Sequence, residues 1–332
     1  MPLPDPMALA VDAAWAFQGL TFPNPAVGAA VVDEHGAVLA VDAHRKAGEP
    51  HAEVLALQQA FVRLGGDRSI LSLHDAFDIH DYLKKHHARR FENCTVYVTL
   101  EPCAHTGKTP SCAGLLEAVG VRKVVIGERD PNAEAAGGAA RLENAGIEVA
   151  DASTEGTRNL LRPFRIWQTR AFVTFKWAQR LDGTVDGGIV SGEASRRFVH
   201  AMRDAADLLV IGGNTVRTDR PTLDARMVGG RAPDILIVSR RDDFDRTIPL
   251  FGVEGRRVTV SGDLSSIEGY RNVMVEGGPG LFASLKERCD MFLCFVAPHS
   301  GGTIRFLNEE ENFEIVHLRR SGRDVMQWMV NG

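Results

Sequence analysis

No apolar stretch of this 332-residue chain is long enough to cross a bilayer. The N-terminus has no basic segment followed by an apolar core, so no signal peptide is expected. A basic excess is missing too: Lys+Arg number 38 against 43 Asp+Glu, a formal charge of −5. Nucleic-acid binders normally show a basic face, so no nucleic-acid partner is expected. Cysteine is scarce, five residues in all, which reads as a reducing compartment rather than a disulfide framework. There is no internal repeat and no low-complexity tract. These absences leave a soluble, cytoplasmic protein with no membrane partner. The length suffices for two ordinary domains, and 44% hydrophobic content is that of a globular chain.

What is present centres on Pro50-His51-Ala52-Glu53, answered half a domain later by Pro102-Cys103 and by Cys112. His51, Cys103 and Cys112 are three soft-to-borderline ligands suited to zinc. Three protein ligands leave one coordination position open, the mark of a catalytic site. Glu53 is not needed as a ligand and is free to move protons. This is the apparatus of a zinc deaminase, in which water activated by the metal attacks the ring carbon bearing an amine. The alternative is a closed structural clip with His105 as fourth ligand, which would leave Glu53 with no task. The strand-like run Cys94–Leu100 feeds Glu101-Pro102-Cys103. Cys94, Cys289 and Cys294 sit in apolar runs and read as buried thiols.

The first half alternates helix-like and strand-like segments. A helix is expected over 7–19, a strand pair over 27–32 and 37–41, and a helix from Pro50, since proline suits a first turn. A strand over 95–100, a helix over 112–119, a strand over 123–126 and a helix over 139–145 complete a three-layer α/β pattern. Between the two parts of the zinc motif lies an insertion, about 66–93, with His74, His80, His86 and His87. Leu73, Phe77 and Leu83 could form its apolar stripe. A solvated amphipathic surface segment is expected there, with a second metal site the lesser alternative. A polar stretch over 151–162 marks the domain boundary. Beyond it the pattern gives strands over 172–177, 208–211, 235–238, 258–260 and 272–275, a helix over 194–203, and a loop over 212–223. Val275-Glu276-Gly277-Gly278-Pro279-Gly280 is a strand running into a glycine-rich turn and a helix start. That turn suits phosphate, but many α/β proteins keep glycine there for steric reasons alone.

The spacing between the cysteines narrows the family. Nucleic-acid and nucleoside deaminases place them two residues apart, whereas eight residues separate Cys103 from Cys112. That loop, with Thr21-Phe22-Pro23-Asn24-Pro25-Ala26-Val27-Gly28, His44, Asp130-Pro131-Asn132 and Gly137-Gly138, resembles the bifunctional riboflavin-biosynthesis deaminase/reductase family. The resemblance runs over essentially the whole chain. It implies a cytidine-deaminase-like three-layer α/β/α domain over 1–150 and a dihydrofolate-reductase-like α/β domain over 163–332. It implies one zinc per chain, NADPH, small pyrimidine ribosyl phosphates as substrates, and a homodimer. The implied reactions are deamination of 2,5-diamino-6-ribosylamino-4(3H)-pyrimidinone 5′-phosphate and then reduction of 5-amino-6-(5-phosphoribosylamino)uracil.

By residue-by-residue match, Asn24, His44, Ala52 and Lys108 would face the deaminase substrate. Arg203, Leu223, Arg226 and Glu276 would face the reductase's sugar phosphate, where two arginines suit a dianion. Gln179, Thr215, Asp219, Ser239 and the run Gly278, Pro279, Gly280, Leu281, Phe282, Ala283, Ser284 would face NADPH. A surface ion pair is the alternative for Arg203. The chain departs from the family at Arg180-Leu181-Asp182-Gly183, where the family has Ser-Leu-Asp-Gly. It departs again at Val185–Ile189, where a serine and a tryptophan are missing. The competing functional reading is a nucleoside or tRNA deaminase fused to a non-catalytic second domain, and a third is a zinc-stabilised scaffold.

Overall fold

The computed structural model describes residues 5–132 and 136–332. It divides into two compact units, one ending at Gln168 and the other running from Thr169 to Gly332. Among the described residues the first unit is built on a five-stranded sheet. Its strands are β1 (Gly28–Val32), β2 (Val38–Ala43), β3 (Thr95–Leu100), β4 (Lys123–Glu128) and β5 (Glu148–Asp151). Their order is β2-β1-β3-β4-β5, with β1 antiparallel to both neighbours and β3, β4 and β5 parallel. Every residue of β1 is buried, as expected of a small apolar run covered on both faces. Gly28 opens it because nothing larger fits: a Cβ there would lie 1.9 Å from the Ala10 carbonyl oxygen.

The helices of this unit are α1 (Pro6–Trp15), α2 (Ala52–Arg63), α3 (Ala76–His86), α4 (Cys112–Val119), α5 (Gly138–Asn144), α6 (Glu155–Leu160) and α7 (Arg162–Trp167). Helix α1 packs with α6, whereas α2 to α5 pack among themselves, giving the three-layer α/β/α arrangement. Helix α1 ends at Trp15, short of the expected Gly19, and α2 starts two residues after Pro50. His51 is the N-cap residue of α2, in extended conformation. The polar stretch after β5 holds α6, closed by a Thr154–Thr157 capping box.

The insertion is an amphipathic surface segment, as expected, but its apolar stripe uses other residues. Its helix α3 is capped by Asp75 and is amphipathic, but the buried face is Ala76, Ile79, His80 and Leu83. Ile79 and Leu83 join the same core as Val54, Leu57 and Phe61 of α2. Phe77 is not on that stripe and is 46% exposed. Gln58 ties the insertion down by donating to the carbonyls of Ile70 and Leu73 at 2.7 and 3.0 Å. Among the described residues its histidines join no cluster of metal donors.

The second unit carries an eight-stranded sheet among the described residues: β6 (Phe172–Arg180), β7 (Leu208–Gly212), β8 (Asp234–Val238), β9 (Val258–Ser261), β10 (Asn272–Glu276), β11 (Met291–Ala297), β12 (Phe313–Ser321) and β13 (Asp324–Asn331). The order is β12-β13-β11-β6-β10-β7-β8-β9. From β11 to β9 all neighbours are parallel, and β12–β13 is an antiparallel hairpin. Helices α8 (Glu193–Ala205), α9 (Gly213–Asp219), α10 (Pro249–Gly252) and α11 (Pro279–Leu285) connect the strands. The expected loop after β7 thus begins as a short helix. The core is aromatic: Trp177 stacks on Phe306 at 4.4 Å, and Phe175, Phe282 and Phe292 close around them. Parallel neighbours bring the carboxyl ends of β6, β10, β7 and β8 to one edge, where open α/β sheets bind ligands.

Candidate active sites

The first site forms where the start of α2 meets the start of α4. His51 Nδ1 lies 3.4 Å from Cys112 Sγ and 3.8 Å from Cys103 Sγ. The three donor atoms all fall within 4.8 Å of one another. His51 Nε2 lies 3.1 Å from Thr109 Oγ1, a contact that holds the ring with Nδ1 toward the sulfurs. Ser111 joins the two cysteine segments: its Oγ donates to the Cys103 carbonyl at 2.9 Å and accepts from Gly114 N at 3.1 Å as the cap of α4. Cys112 N donates to Cys103 Sγ at 3.4 Å. The side-chain hydrogen bond from the Cys112 thiol, then the one with His51, pulls the Cys103 thiol down to about 4 against the opposing effect of burial. One imidazole and two sulfurs at these separations fit zinc with an open position. His105 is exposed and stands outside the donor set.

Glu53 lies in the first turn of α2 and is 3% exposed. Burial raises its carboxyl above the ordinary carboxylate range, although His51 pulls the other way. A cavity of about 290 Å³ opens on this group, with Asn24, His44, Lys108, Asp130, Asn132 and Phe164 in its walls. Asn24 Nδ2 lies 3.1 Å from His44 Nε2, and His44 Nδ1 lies 3.1 Å from the Pro50 carbonyl oxygen. Burial, then the neighbouring His51, drops His44 to about 4, so it is neutral near pH 7. A neutral ring that donates from Nδ1 accepts at Nε2, which sets the Asn24 amide and leaves its oxygen for another partner. Ala52 is fully buried and does not line the cavity.

The second site collects at the carboxyl ends of the parallel strands. Arg203 grips Glu276 through two bonds, Nε to Oε1 at 2.7 Å and Nη2 to Oε2 at 3.0 Å. Lys176 Nζ adds a third contact at 3.5 Å. Glu276 is pushed up by its burial, but Arg203 and Lys176 prevail and hold it at about 2. Arg203 and Glu276 therefore satisfy each other rather than facing a sugar phosphate independently, and Arg203 is neither a surface pair nor a free cation. Helix α8, which carries Arg203, is pinned at its start by buried Asp324, which accepts from Gly192 N and Ser195 Oγ. Arg226 is exposed and donates to Asp224 Oδ2 at 3.1 Å.

On the expected nucleotide side, Gln179 Oε1 accepts from Trp177 Nε1 at 2.8 Å. Ser239 Oγ accepts from Arg217 at 3.2 Å and donates to the Arg241 carbonyl at 2.7 Å. Thr215 is half-buried and Asp219 exposed on α9. Gly278 caps α11, while Gly280, Ala283 and Ser284 are exposed. The Phe282 side chain is 3% exposed and belongs to the aromatic core, because that face of α11 packs on the sheet, which leaves its main chain to face the nucleotide side. Leu281 packs beside Gly277, where a Cβ would lie 2.6 Å from its Cδ2.

The cytidine and deoxycytidylate deaminase zinc-binding region matches residues 4–128, and the RibD C-terminal domain matches residues 171–326. The riboflavin biosynthesis protein RibD of Aquifex aeolicus is 34% identical, covering 88% of this chain and 86% of that protein. The chain belongs to the RibD family. The Corynebacterium ammoniagenes member is 34% identical over 82% of this chain and 78% of its own length. A Thermotoga maritima deaminase/reductase structure superposes with TM-score 0.66 at 28% identity, covering 98% of this chain and 97% of that one. The chain is an enzyme of riboflavin biosynthesis with a cytidine-deaminase-like domain and a RibD C-terminal reductase domain. The match over the second unit sets aside the reading of a nucleoside or tRNA deaminase with a non-catalytic partner domain.

Several residues that shape these sites went unread in the sequence. Glu101 is buried and accepts from Asp130 N, Gly137 N and Ala139 N at 3.2, 3.2 and 3.0 Å, anchoring the wall beside Cys103. Thr99 Oγ1 receives Gly28 N at 3.1 Å. Nothing local marks either. Ser111 could have been found, since a serine directly before a helix start is a capping signal.

Proposed function

We propose that this chain carries out two successive steps on a pyrimidine ribosyl phosphate. Chemistry within residues 1–150 removes the amine of 2,5-diamino-6-ribosylamino-4(3H)-pyrimidinone 5′-phosphate. Chemistry within 163–332 reduces 5-amino-6-(5-phosphoribosylamino)uracil with NADPH. The observation that carries the first step is a buried glutamate with a raised carboxyl, lining a cavity beside a three-donor set. His51, Cys103 and Cys112 would hold one zinc ion, which supplies Lewis-acid activation of water when bound. Glu53 takes a proton at its carboxylate and delivers it to the departing amine nitrogen, work suited to a group whose carboxyl burial raises. His44, kept neutral, orients Asn24 against the ring, and Lys108 offers charge to the phosphate.

In the second step the fixed Arg203–Glu276–Lys176 cluster forms the floor of the crevice. Arg226 and Leu223 border the sugar phosphate, and the turn Glu276–Gly280 with Gln179, Thr215, Asp219 and Ser239 borders the nucleotide. All five cysteines are free, which supports a reducing, cytoplasmic location. A homodimer completes the reading and rests on the family alone. Turnover of the diaminopyrimidine with and without NADPH tests it, followed by ammonia release and cofactor oxidation. Ammonia without NADPH, and cofactor oxidation only after deamination, is the expected pattern. Absence of ammonia from zinc-replete protein would end the deaminase reading, and absence of oxidation the reductase reading.

A further inference from the structure

Leu223 occupies the left-handed region at φ 56°, and Arg220, three residues earlier, does so at φ 46°. A γ-branched residue that is 7% exposed has no intrinsic reason to sit there. Such conformations persist where the surroundings over-determine them. Here the surroundings are arginines from elsewhere in the chain. Arg256, just before β9, donates from Nη1 to the Leu223 carbonyl at 2.7 Å and from Nη2 to the Thr222 carbonyl at 2.7 Å. The same Nη2 reaches the Leu250 carbonyl on α10 at 2.5 Å. Arg203 takes the next carbonyl, Asp224, at 3.2 Å. Three consecutive main-chain carbonyls, 222 to 224, thus end on guanidinium groups 21 to 34 residues away.

The planar fork of Arg256 matters here, because one rigid group sets two adjacent carbonyls at once. Each of its three hydrogen bonds ends on a main-chain carbonyl rather than on a carboxylate. Burial lowers it to about 10, with Asp224 opposing that shift and Arg203 adding to it. The group is thus a partly desolvated cation spent on backbone geometry at the edge of the reductase crevice. We propose that Arg256 is a positioning residue of the reductase, locking Thr222–Asp224 so that Leu223 and Arg226 face the sugar phosphate. This rests on the reading of Leu223 and Arg226 as substrate-facing.

The test uses the full chain with Arg256→Met and Arg256→Lys. KM and kcat for 5-amino-6-(5-phosphoribosylamino)uracil are read from NADPH oxidation, NADPH affinity from fluorescence, and folding from thermal melting. Arg256→Met should raise the substrate KM about tenfold or more, with kcat and NADPH affinity within about threefold. Arg256→Lys should fall between, since a point donor cannot set both carbonyls. An unchanged substrate KM in both single variants overturns the proposal. So does a parallel loss of substrate affinity, NADPH affinity and melting temperature in Arg256→Lys, which would make Arg256 a general scaffold group. If Arg256→Met does not fold, Arg256→Lys decides on the same criteria. A wild-type enzyme that never oxidises NADPH refutes the reductase reading itself, and the inference with it. Wild-type turnover with unaffected variants refutes the inference alone.

Discussion

Two glutamates, one in each unit, are buried to a similar degree and driven in opposite directions. Glu53 is 3% exposed and Glu276 is 9% exposed. Burial pushes both carboxyls up. At Glu53 the opposing influence of His51 is not enough, and the carboxyl stays raised. At Glu276 a bidentate arginine and a lysine overwhelm burial and bring it to about 2. Burial alone does not decide protonation; the hydrogen-bonded partner does. The first group is therefore raised toward the protonated form, as a proton carrier requires, and the second is held as a fixed anion. That contrast separates the two chemistries better than their positions in the chain do.

The comparison is most directly broken at Glu53. Glu53→Gln keeps the shape and removes the proton carrier, so deamination should fall by about 10⁴-fold, the upper end for general acid–base groups. Zinc content by metal analysis should stay at the wild-type level, because the donor set is complete without it. Loss of zinc would make Glu53 a ligand and refute the role. In the wild type, the acid limb of kcat/KM for ammonia release should lie above the ordinary carboxylate range, since Glu53 must be ionised to accept a proton and its carboxyl is raised.

At Glu276 the expected loss is in stability first. Arg203→Met leaves a buried carboxylate without its main partner, which typically costs about 3–5 kcal/mol. The pH dependence follows from the depressed carboxyl. A group lowered from 4.5 to about 2 contributes stability that is fully present above 4.5 and is lost as pH falls toward 2. That shift is worth on the order of 3 kcal/mol. Denaturant titrations of the wild type should show this loss between those limits, and Arg203→Met should flatten it. Equal slopes in the two proteins would mean that the pair does not set the Glu276 charge.

The legibility of the two sites follows the same division. The zinc set was readable because metal chemistry demands particular residue types, and His51, Cys103, Cys112 and Glu53 carry it almost alone. The pair Arg203–Glu276 spans 73 residues and two elements, so no local pattern could announce that the two neutralise each other. Phe282 shows the limit of a motif: the glycine turn is legible, but which face of the following helix meets the sheet is a tertiary fact. In the insertion, 73, 77 and 83 do not fall on one helical stripe, whereas the observed 76, 79, 80 and 83 have the i, i+3, i+4, i+7 spacing. Strands β11 to β13 lie outside the expected elements, although Met291–Ala297 is a continuous apolar run. Helix α2 starts two residues beyond the expected Pro50, because His51 makes the cap.

A smaller effect is expected one shell away from the metal donors. Thr109→Val removes the hydroxyl that pairs with His51 Nε2 while keeping the volume. Such outer partners typically contribute about 10–100-fold in metal affinity, so competition with a chromophoric chelator should show a loss in that range. NADPH affinity should not change. Unaltered zinc affinity would mean that packing alone orients the His51 ring.

The smallest effect sharpens the contrast between exposed and buried charge. Lys108 is exposed at the cavity mouth, unlike Arg203, which is locked against Glu276. An exposed ion pair contributes about 1 kcal/mol at most. Lys108→Ala should therefore raise the deaminase KM for the phosphorylated substrate by about fivefold, with kcat and zinc content near wild type. Because the contact is screened by salt, the difference between variant and wild type should shrink as ionic strength rises from about 0.01 to 1 M. A KM unchanged at low salt would return Lys108 to the solvated surface. A loss of a hundredfold or more, insensitive to salt, would show that the loop closes over the phosphate and buries the lysine, placing it in the same class as the arginine of the second unit.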